Sequence, residues 1–150
     1  MTHARGEPKI SRVDASLSPE EVVRVAEFRA ALRSFLRKSE RNARRSGLTP
    51  QRYLLLLMIK GAPDHSERST VTELSERLQL AQSTVTELVR RAEEIGLIAR
   101  ERSAVDGRIA HLRLTPEGER RLAQSFTSND SERRTLLDAF ESLQGRVAAG

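Results

Sequence analysis

The stretch that most constrains the fold is residues 70–114, which reads as two short amphipathic helices separated by three residues and followed at once by two strands. Thr70 stands where an N-cap belongs, with Glu73 at the capping-box position and Val71, Leu74 and Leu78 on one face. After Gln79, Leu80 and Ala81 the helical pattern resumes over residues 82–94. Its inward stripe is Val85, Leu88, Val89, Ala92 and Ile95, and Gly96 ends it. Residues 97–103 and 108–114 are expected as strands joined through residues 104–107, where Asp106-Gly107 is a strong hairpin signal. Two helices with a tight turn and then a hairpin form the winged variant of the helix-turn-helix.

The flanks are helical. Ser18 caps, Pro19 suits the first helical position, Glu21 completes a capping box, and Leu17 and Val22 have the spacing of a hydrophobic staple. The helix that follows carries Val25, Phe28, Leu32, Phe35 and Leu36 on one stripe and closes near Ser46-Gly47. Leu48-Thr49-Pro50 repeats the same start, and residues 53–59 are apolar throughout, as in a helix buried on most sides. Residues 61–69 read as a surface loop, and Thr115-Pro116 opens a C-terminal helical region with Leu136, Leu137, Phe140 and Leu143 on one face. Residues 127–130 either break that region into two helices or bend one. The expected fold is mainly α with a small β-hairpin wing. A flexible tail covers residues 1–16, outer helices about 18–46 and 116–145, and a winged helix-turn-helix about 49–115.

Composition removes several function classes. Hydrophobic residues are 37% and charged residues 31%, suited to a soluble protein with a modest core. No apolar run approaches the roughly 20 residues of a membrane span, and the N-terminus lacks the apolar stretch of a secretory signal. With no cysteine, disulfides, thiolate metal sites and thiol redox sensing fall away, and a cytoplasmic location is expected. His3, His65 and His111 have no paired ligand spacing, so no metal and no cofactor are expected. An enzyme is disfavoured: there is no Gly-rich phosphate loop and no Ser-His-Asp pattern.

The net charge of +5 and a pI near 10.6 favour a polyanionic partner. A GC-rich genome alone would also explain 23 arginines against 3 lysines. The second short helix fits the roughly 12 Å major groove, and a hairpin reaches the adjacent minor groove. Opposite its core stripe that helix presents Ser83, Thr86, Glu87, Arg90 and Glu94, with Arg91 at the margin and Gln82 at its start. This is either a solvated face or a DNA face. The Gln-Ser-Thr cluster, with free backbone amides beside it, suits phosphates and base edges. Glu87 would repel phosphate yet can accept from a cytosine amino group, and Arg90 suits guanine or phosphate.

Residues 70–97, with Asp106-Gly107-Arg108 and Leu112-Arg113-Leu114-Thr115-Pro116-Glu117-Gly118, resemble the signature of the MarR family of transcription regulators. The specific part is the wing Asp-x-Arg followed by Leu-Thr-x-x-Gly; the start of the second helix, residues 48–57, matches as well. The likeness covers about residues 18–143. It implies a homodimer on a pseudo-palindromic double-stranded DNA site, with recognition helices about 34 Å apart. Arg108 would enter the minor groove and Asp106 would hold the wing or Arg108 in place. The DNA-contacting set is then Gln82, Ser83, Thr84, Thr86, Glu87, Arg90, Arg91, Arg102, Asp106 and Arg108. The resemblance also implies a small aromatic or anionic effector in a crevice between dimer arms and DNA lobe, with Arg29, Arg33, Tyr53 and Met58 as candidate lining. The apolar stripes of the outer helices would pack with their symmetry mates.

The chain departs from the family pattern in two places. Gln79 stands where a turn glycine is common, and Ala81 where a capping serine is common, so Ser83 or Thr84 is expected to cap one turn later, with Glu87 closing a box on Thr84. Charge raises a further question. Residues 70–115 hold seven basic side chains (Arg77, Arg90, Arg91, Arg100, Arg102, Arg108, Arg113), cancelled by seven acidic ones. A neutral winged domain must place its arginines on the DNA side. The excess lies in the first helix, where Arg41, Arg44 and Arg45 could meet flanking phosphate, bind an anion, complement the helix end or be solvated. Rival readings are a winged helix that binds protein, which predicts an apolar or acidic recognition face, and RNA binding, which 3% aromatic content disfavours.

Overall fold

The computed structural model describes residues 16–145; the tail expected over residues 1–16 lies outside them apart from Ser16, as does His3. The order is α1 (Pro19–Arg45), α2 (Pro50–Lys60), α3 (Val71–Leu78), α4 (Gln82–Glu94), β1 (Ile98–Arg102), β2 (Ala110–Leu114), α5 (Pro116–Ser128) and α6 (Asp130–Gln144). Four helices start on a hydroxyl cap: Ser18, Thr49, Thr70 and Thr115 each accept from the backbone N–H three residues on. Gly47, at φ +74°, takes the left-handed position that closes α1, and Leu48 N–H reaches back to the Ala43 carbonyl at 2.9 Å.

The core lies where α2, α3, α4, the wing and α5 meet. Leu55, Leu56 and Ile59 of α2 pack with Leu74, Val85, Val89, Leu97 and Leu112, all fully buried. The long α1 adds only Ala43 to this cluster, and α6 adds nothing. Instead α1 and α6 pack on each other, with the Phe28 and Phe140 rings 6.1 Å apart. Val22, Val23, Val25, Leu36, Leu137 and Phe140 remain exposed on this pair. No helix among the described residues is long and apolar enough to cross a membrane.

Several expectations need correction. Ile95 is exposed rather than inward: it is the residue that closes α4 (φ −93°, ψ 7°), so the helical period no longer sets its direction. At the wing tip β1 ends one residue early and β2 begins two residues late, and β1 starts at Ile98 rather than Leu97. β1 and β2 pair antiparallel from Ile98↔Leu114 to Arg102↔Ala110, leaving residues 103–109 as a loop. The loop 61–69 is exposed except at Ala62 and at its end, where Ser69 exchanges two backbone hydrogen bonds with Leu112 (3.1 and 2.8 Å) and adds a third, one-residue rung beside β2. The question left open at residues 127–130 resolves as two helices that meet at the buried Asn129.

Asn129 also closes a polar knot that the sequence pattern did not reveal. Its Oδ1 accepts from Asn42 Nδ2 at 2.6 Å, and its Nδ2 donates to Ser39 Oγ and to the Tyr53 hydroxyl, each at 3.3 Å. Asn42 Nδ2 also donates to the Ser128 carbonyl at 3.1 Å. One side chain thereby ties α1, α2 and the α5–α6 junction together.

Candidate nucleic-acid interface

The turn between α3 and α4 forms without glycine. Gln79 adopts a left-handed conformation (φ 56°, ψ 44°), and its Nε2 donates to the Glu76 carbonyl at 2.6 Å, which offsets part of the steric cost. Ser75 Oγ donates to the Leu80 carbonyl at 2.6 Å and holds the turn from the other side. The helix then starts at Gln82 on Ala81, with no side-chain cap. The later start on Ser83 or Thr84 is therefore not adopted, because burial of Val85, Val89 and Ala92 fixes the helix phase without one. Its first amide groups are left open beside the exposed Gln82, Ser83 and Thr84. Ala81→Ser should supply the missing acceptor and raise the unfolding free energy by about 1 kcal/mol in urea titration. An unchanged midpoint would mean the first amides already have partners.

Further along α4, Thr86 is tied down, its Oγ1 donating to the Gln82 carbonyl at 2.8 Å. Glu87 does not close a box on Thr84. Its carboxylate accepts from Arg90 (Nε 2.9 Å, a terminal nitrogen 2.6 Å) and from Arg91 Nε at 2.9 Å, while Arg90 also pairs with Glu94. Hydrogen bonds from Arg90 first and Arg91 second pull the Glu87 carboxyl down to about 2, and Glu87 in turn raises the Arg90 guanidinium. A depressed carboxyl stabilises the fold above its ordinary titration range and loses that contribution as pH falls toward 2. The cluster is thus intact near neutrality.

At the wing tip the connection expected over residues 104–107 is a longer loop, residues 103–109, and it is not built on a left-handed glycine. Gly107 is not left-handed, and a Cβ there would meet nothing within 4 Å. Two side chains shape the loop instead. Ser103 Oγ accepts from the N–H groups of Val105 (3.2 Å) and Asp106 (3.3 Å), and Asp106 Oδ1 accepts from Arg108 N–H at 3.0 Å. Asp106 therefore fixes the backbone from which the Arg108 side chain springs. Arg108 borders an open hollow with Thr70, Val71, Thr72, Ile109 and Ala110. Thr72 also lies 3.4 Å from Gln82 Nε2. The start of α3, the start of α4 and the root of the wing thus share one face. Sequence reasoning passed over Thr72; its signal was a polar residue in the first turn of a capped helix.

Ion pairs resolve the charge question. Of the seven basic side chains in residues 70–115, four are in ion pairs: Arg90 and Arg91 on Glu87, Arg100 on Glu93 (2.7 Å) and Arg113 on Glu101 (2.6 Å). Arg77 donates to the carbonyls of Met58 (2.7 Å) and Gly61 (3.1 Å). Arg102 reaches only the Gly107 carbonyl, at 3.4 Å, and the Arg108 guanidinium has no ion pair among the described residues. Of the three without an ion pair among the described residues, Arg102 lies on the wing strand β1 and Arg108 in the wing loop, whereas Arg77 of α3 is spent on those carbonyls.

The four candidate effector residues do not meet in one cavity. The hollow beside Tyr53 is lined by Leu36, Ser39, Glu40, Pro50 and Leu54, whereas Arg33 borders a neighbouring one with Ser34, Leu36, Arg37 and Glu40. Arg29 is exposed on α1, Met58 packs against the core, and Tyr53 is buried with its hydroxyl on Asn129. Residue type suggested the set; helix phase separates it.

Residues 46–109 match the profile of the MarR family. Over 71 residues the chain is 34% identical to the HTH-type transcriptional regulator YsmB of Bacillus subtilis, a match that spans 47% of this chain and about half, 49%, of YsmB. The fold likeness reaches further. AbsC, a MarR family transcriptional regulator from Streptomyces coelicolor, superposes with a TM-score of 0.67 at 21% identity, over 89% of this chain and 91% of AbsC. Sco3205, a MarR family transcriptional regulator from the same organism solved in complex with DNA, gives 0.63 at 24% identity, over 89% and 92%. The MarR-like fold thus includes the outer helices that lie beyond the matched family segment.

Proposed function

We propose that this chain is a sequence-specific DNA-binding transcription regulator, a repressor acting in the cytoplasm as a homodimer on a pseudo-palindromic operator. The observation that carries the reading is the placement of Arg108, which has no ion pair among the described residues: it stands on a wing whose backbone Asp106 holds, beside the exposed starts of α3 and α4. In this reading α4 enters the major groove with Gln82, Ser83, Thr84 and Thr86 at its leading end. The wing follows the adjacent minor groove with Arg108 inside it and Arg102 behind. Sco3205, of the same fold, was solved on DNA, which supports the same use of this scaffold.

The outer helices, about residues 18–46 and 116–145, serve as the dimer arms around a DNA lobe of about residues 49–115. Apolar side chains left exposed on α1 and α6, among them Val25, Leu137 and Phe140, support burial against a second copy. A small anionic or aromatic ligand that releases the DNA completes the reading. The hollow beside Tyr53 suits an aromatic better than an anion, since Glu40 lines it.

Fluorescence anisotropy with DNA from upstream of its own gene, titrated in salt, tests the proposal. Two protomers per site, a steep fall with salt and an Arg108→Ala loss of about 1–3 kcal/mol are expected. Equal, weak binding of both proteins to any duplex would reject the wing assignment and put a protein-binding winged helix in its place.

A further inference from the structure

The cluster on α4 is unusual for a face expected to meet DNA, because its two arginines are already matched by two carboxylates of the same helix. Glu87 Oε1 accepts from both Arg90 (2.6 Å) and Arg91 (2.9 Å), and Oε2 accepts from Arg90 at 2.9 Å. Three of its acceptor sites are therefore filled, which leaves it poorly placed to take a cytosine amino proton, the role its residue type suggested. Arg90 is held on its other side by Glu94. All four side chains are about half exposed or more. Exposed pairs one helical turn apart are weak, so each can be exchanged for a better partner.

We infer that Glu87 is a positioning residue for specificity: it keeps Arg90 and Arg91 off phosphates until a guanine edge offers a bidentate replacement. This inference rests on the DNA-binding reading above. A random duplex presents mainly phosphate to this face, and the Glu87 carboxylate both competes for the arginines and repels the backbone. A correct site presents guanine O6 and N7 to the Arg90 fork, a geometry that matches what the carboxylate supplies. The carboxylate thus penalises wrong sequences more than the right one, and discrimination rises although absolute affinity falls.

The test compares wild type, Glu87→Gln and Glu94→Gln on the upstream duplex and on a shuffled duplex of equal composition, between 50 and 200 mM KCl. Each additional phosphate contact steepens the log–log salt slope by about 0.9 and enlarges the loss over that range about three- to fourfold. Glu87→Gln, which frees two arginines, should bind the shuffled duplex about tenfold tighter at low salt, with a slope steeper by about 1–2. Its preference for the upstream duplex should shrink. Glu94→Gln, which loosens Arg90 alone, should move both quantities about half as far. Thermal melting of each variant separates a folding defect from a binding one. If Glu87→Gln leaves the shuffled-duplex affinity and slope unchanged, or weakens the upstream duplex alone, Glu87 is no such restraint, while wild-type binding keeps the regulator reading intact. A wild type that binds neither duplex at 50 mM KCl overturns the regulator reading, and the restraint with it.

Discussion

Gly118→Ala should lower the unfolding free energy by about 2–4 kcal/mol, the largest loss expected from a single methyl group in this chain. A Cβ at Gly118 would sit 2.1 Å from the Leu97 carbonyl oxygen and 3.1 Å from its carbon. That carbonyl cannot turn away, because it accepts the Thr115 N–H at 3.0 Å, and Thr115 Oγ1 donates to the neighbouring Gly96 carbonyl at 2.5 Å. Alanine is the better helix former by about 1 kcal/mol, so propensity alone predicts the opposite sign. Space decides, since the first turn of α5 must move off the start of the wing to admit the methyl. Equilibrium urea unfolding at fixed protomer concentration measures the effect. Gly107→Ala is the control, with open space and no left-handed backbone, and its midpoint should stay near wild type. A Gly118→Ala protein within about 0.5 kcal/mol of wild type would show that the helix and wing do not approach this closely.

Asn129→Ala should cost about 2–4 kcal/mol. The side chain is fully buried and is the common partner of Asn42, Ser39 and Tyr53. Truncation leaves a cavity and strips the Tyr53 hydroxyl of this donor, although Asn42 keeps the Ser128 carbonyl. Tyr53→Phe removes one 3.3 Å bond from the same knot and should cost about 1 kcal/mol, because Asn129 Nδ2 still has Ser39 Oγ. The pair of measurements, by denaturant unfolding at one protomer concentration, separates the knot from an ordinary buried amide. Equal losses in the two variants would mean that Asn129 matters only through Tyr53.

Much of the architecture was legible because each element carries its own boundary chemistry. Ser18, Thr49, Thr70 and Thr115 cap where their hydroxyls reach a helix amide three residues on, and Gly47 closes α1 where a left-handed residue is needed. These are contacts over three or four residues, so sequence adjacency encodes them. The inward stripe of α4 was legible as far as Ala92 for the same reason, and failed at Ile95 where the helix ended. The Asp106-Gly107 pair marked the wing tip correctly. Its turn type did not follow from the pair, because Ser103 and Asp106 supply acceptors that stabilise a longer loop.

By itself, then, the sequence determined the element order, the caps and the position of the winged helix-turn-helix, all set by local hydrogen bonding and by apolar period. Tertiary structure alone decided which charges cancel. Arg100 meets Glu93 and Arg113 meets Glu101 only because the hairpin returns beside α4 and pairs in one register, and the same arrangement gives Arg108 no ion pair among the described residues. It decided that Asn129, an unremarkable polar residue in the chain, is buried among three helices, and that Arg29, Arg33, Tyr53 and Met58 line no common cavity. The physical reason is the same in each case: burial and ion pairing depend on distances between residues far apart in the chain, which a local pattern does not record.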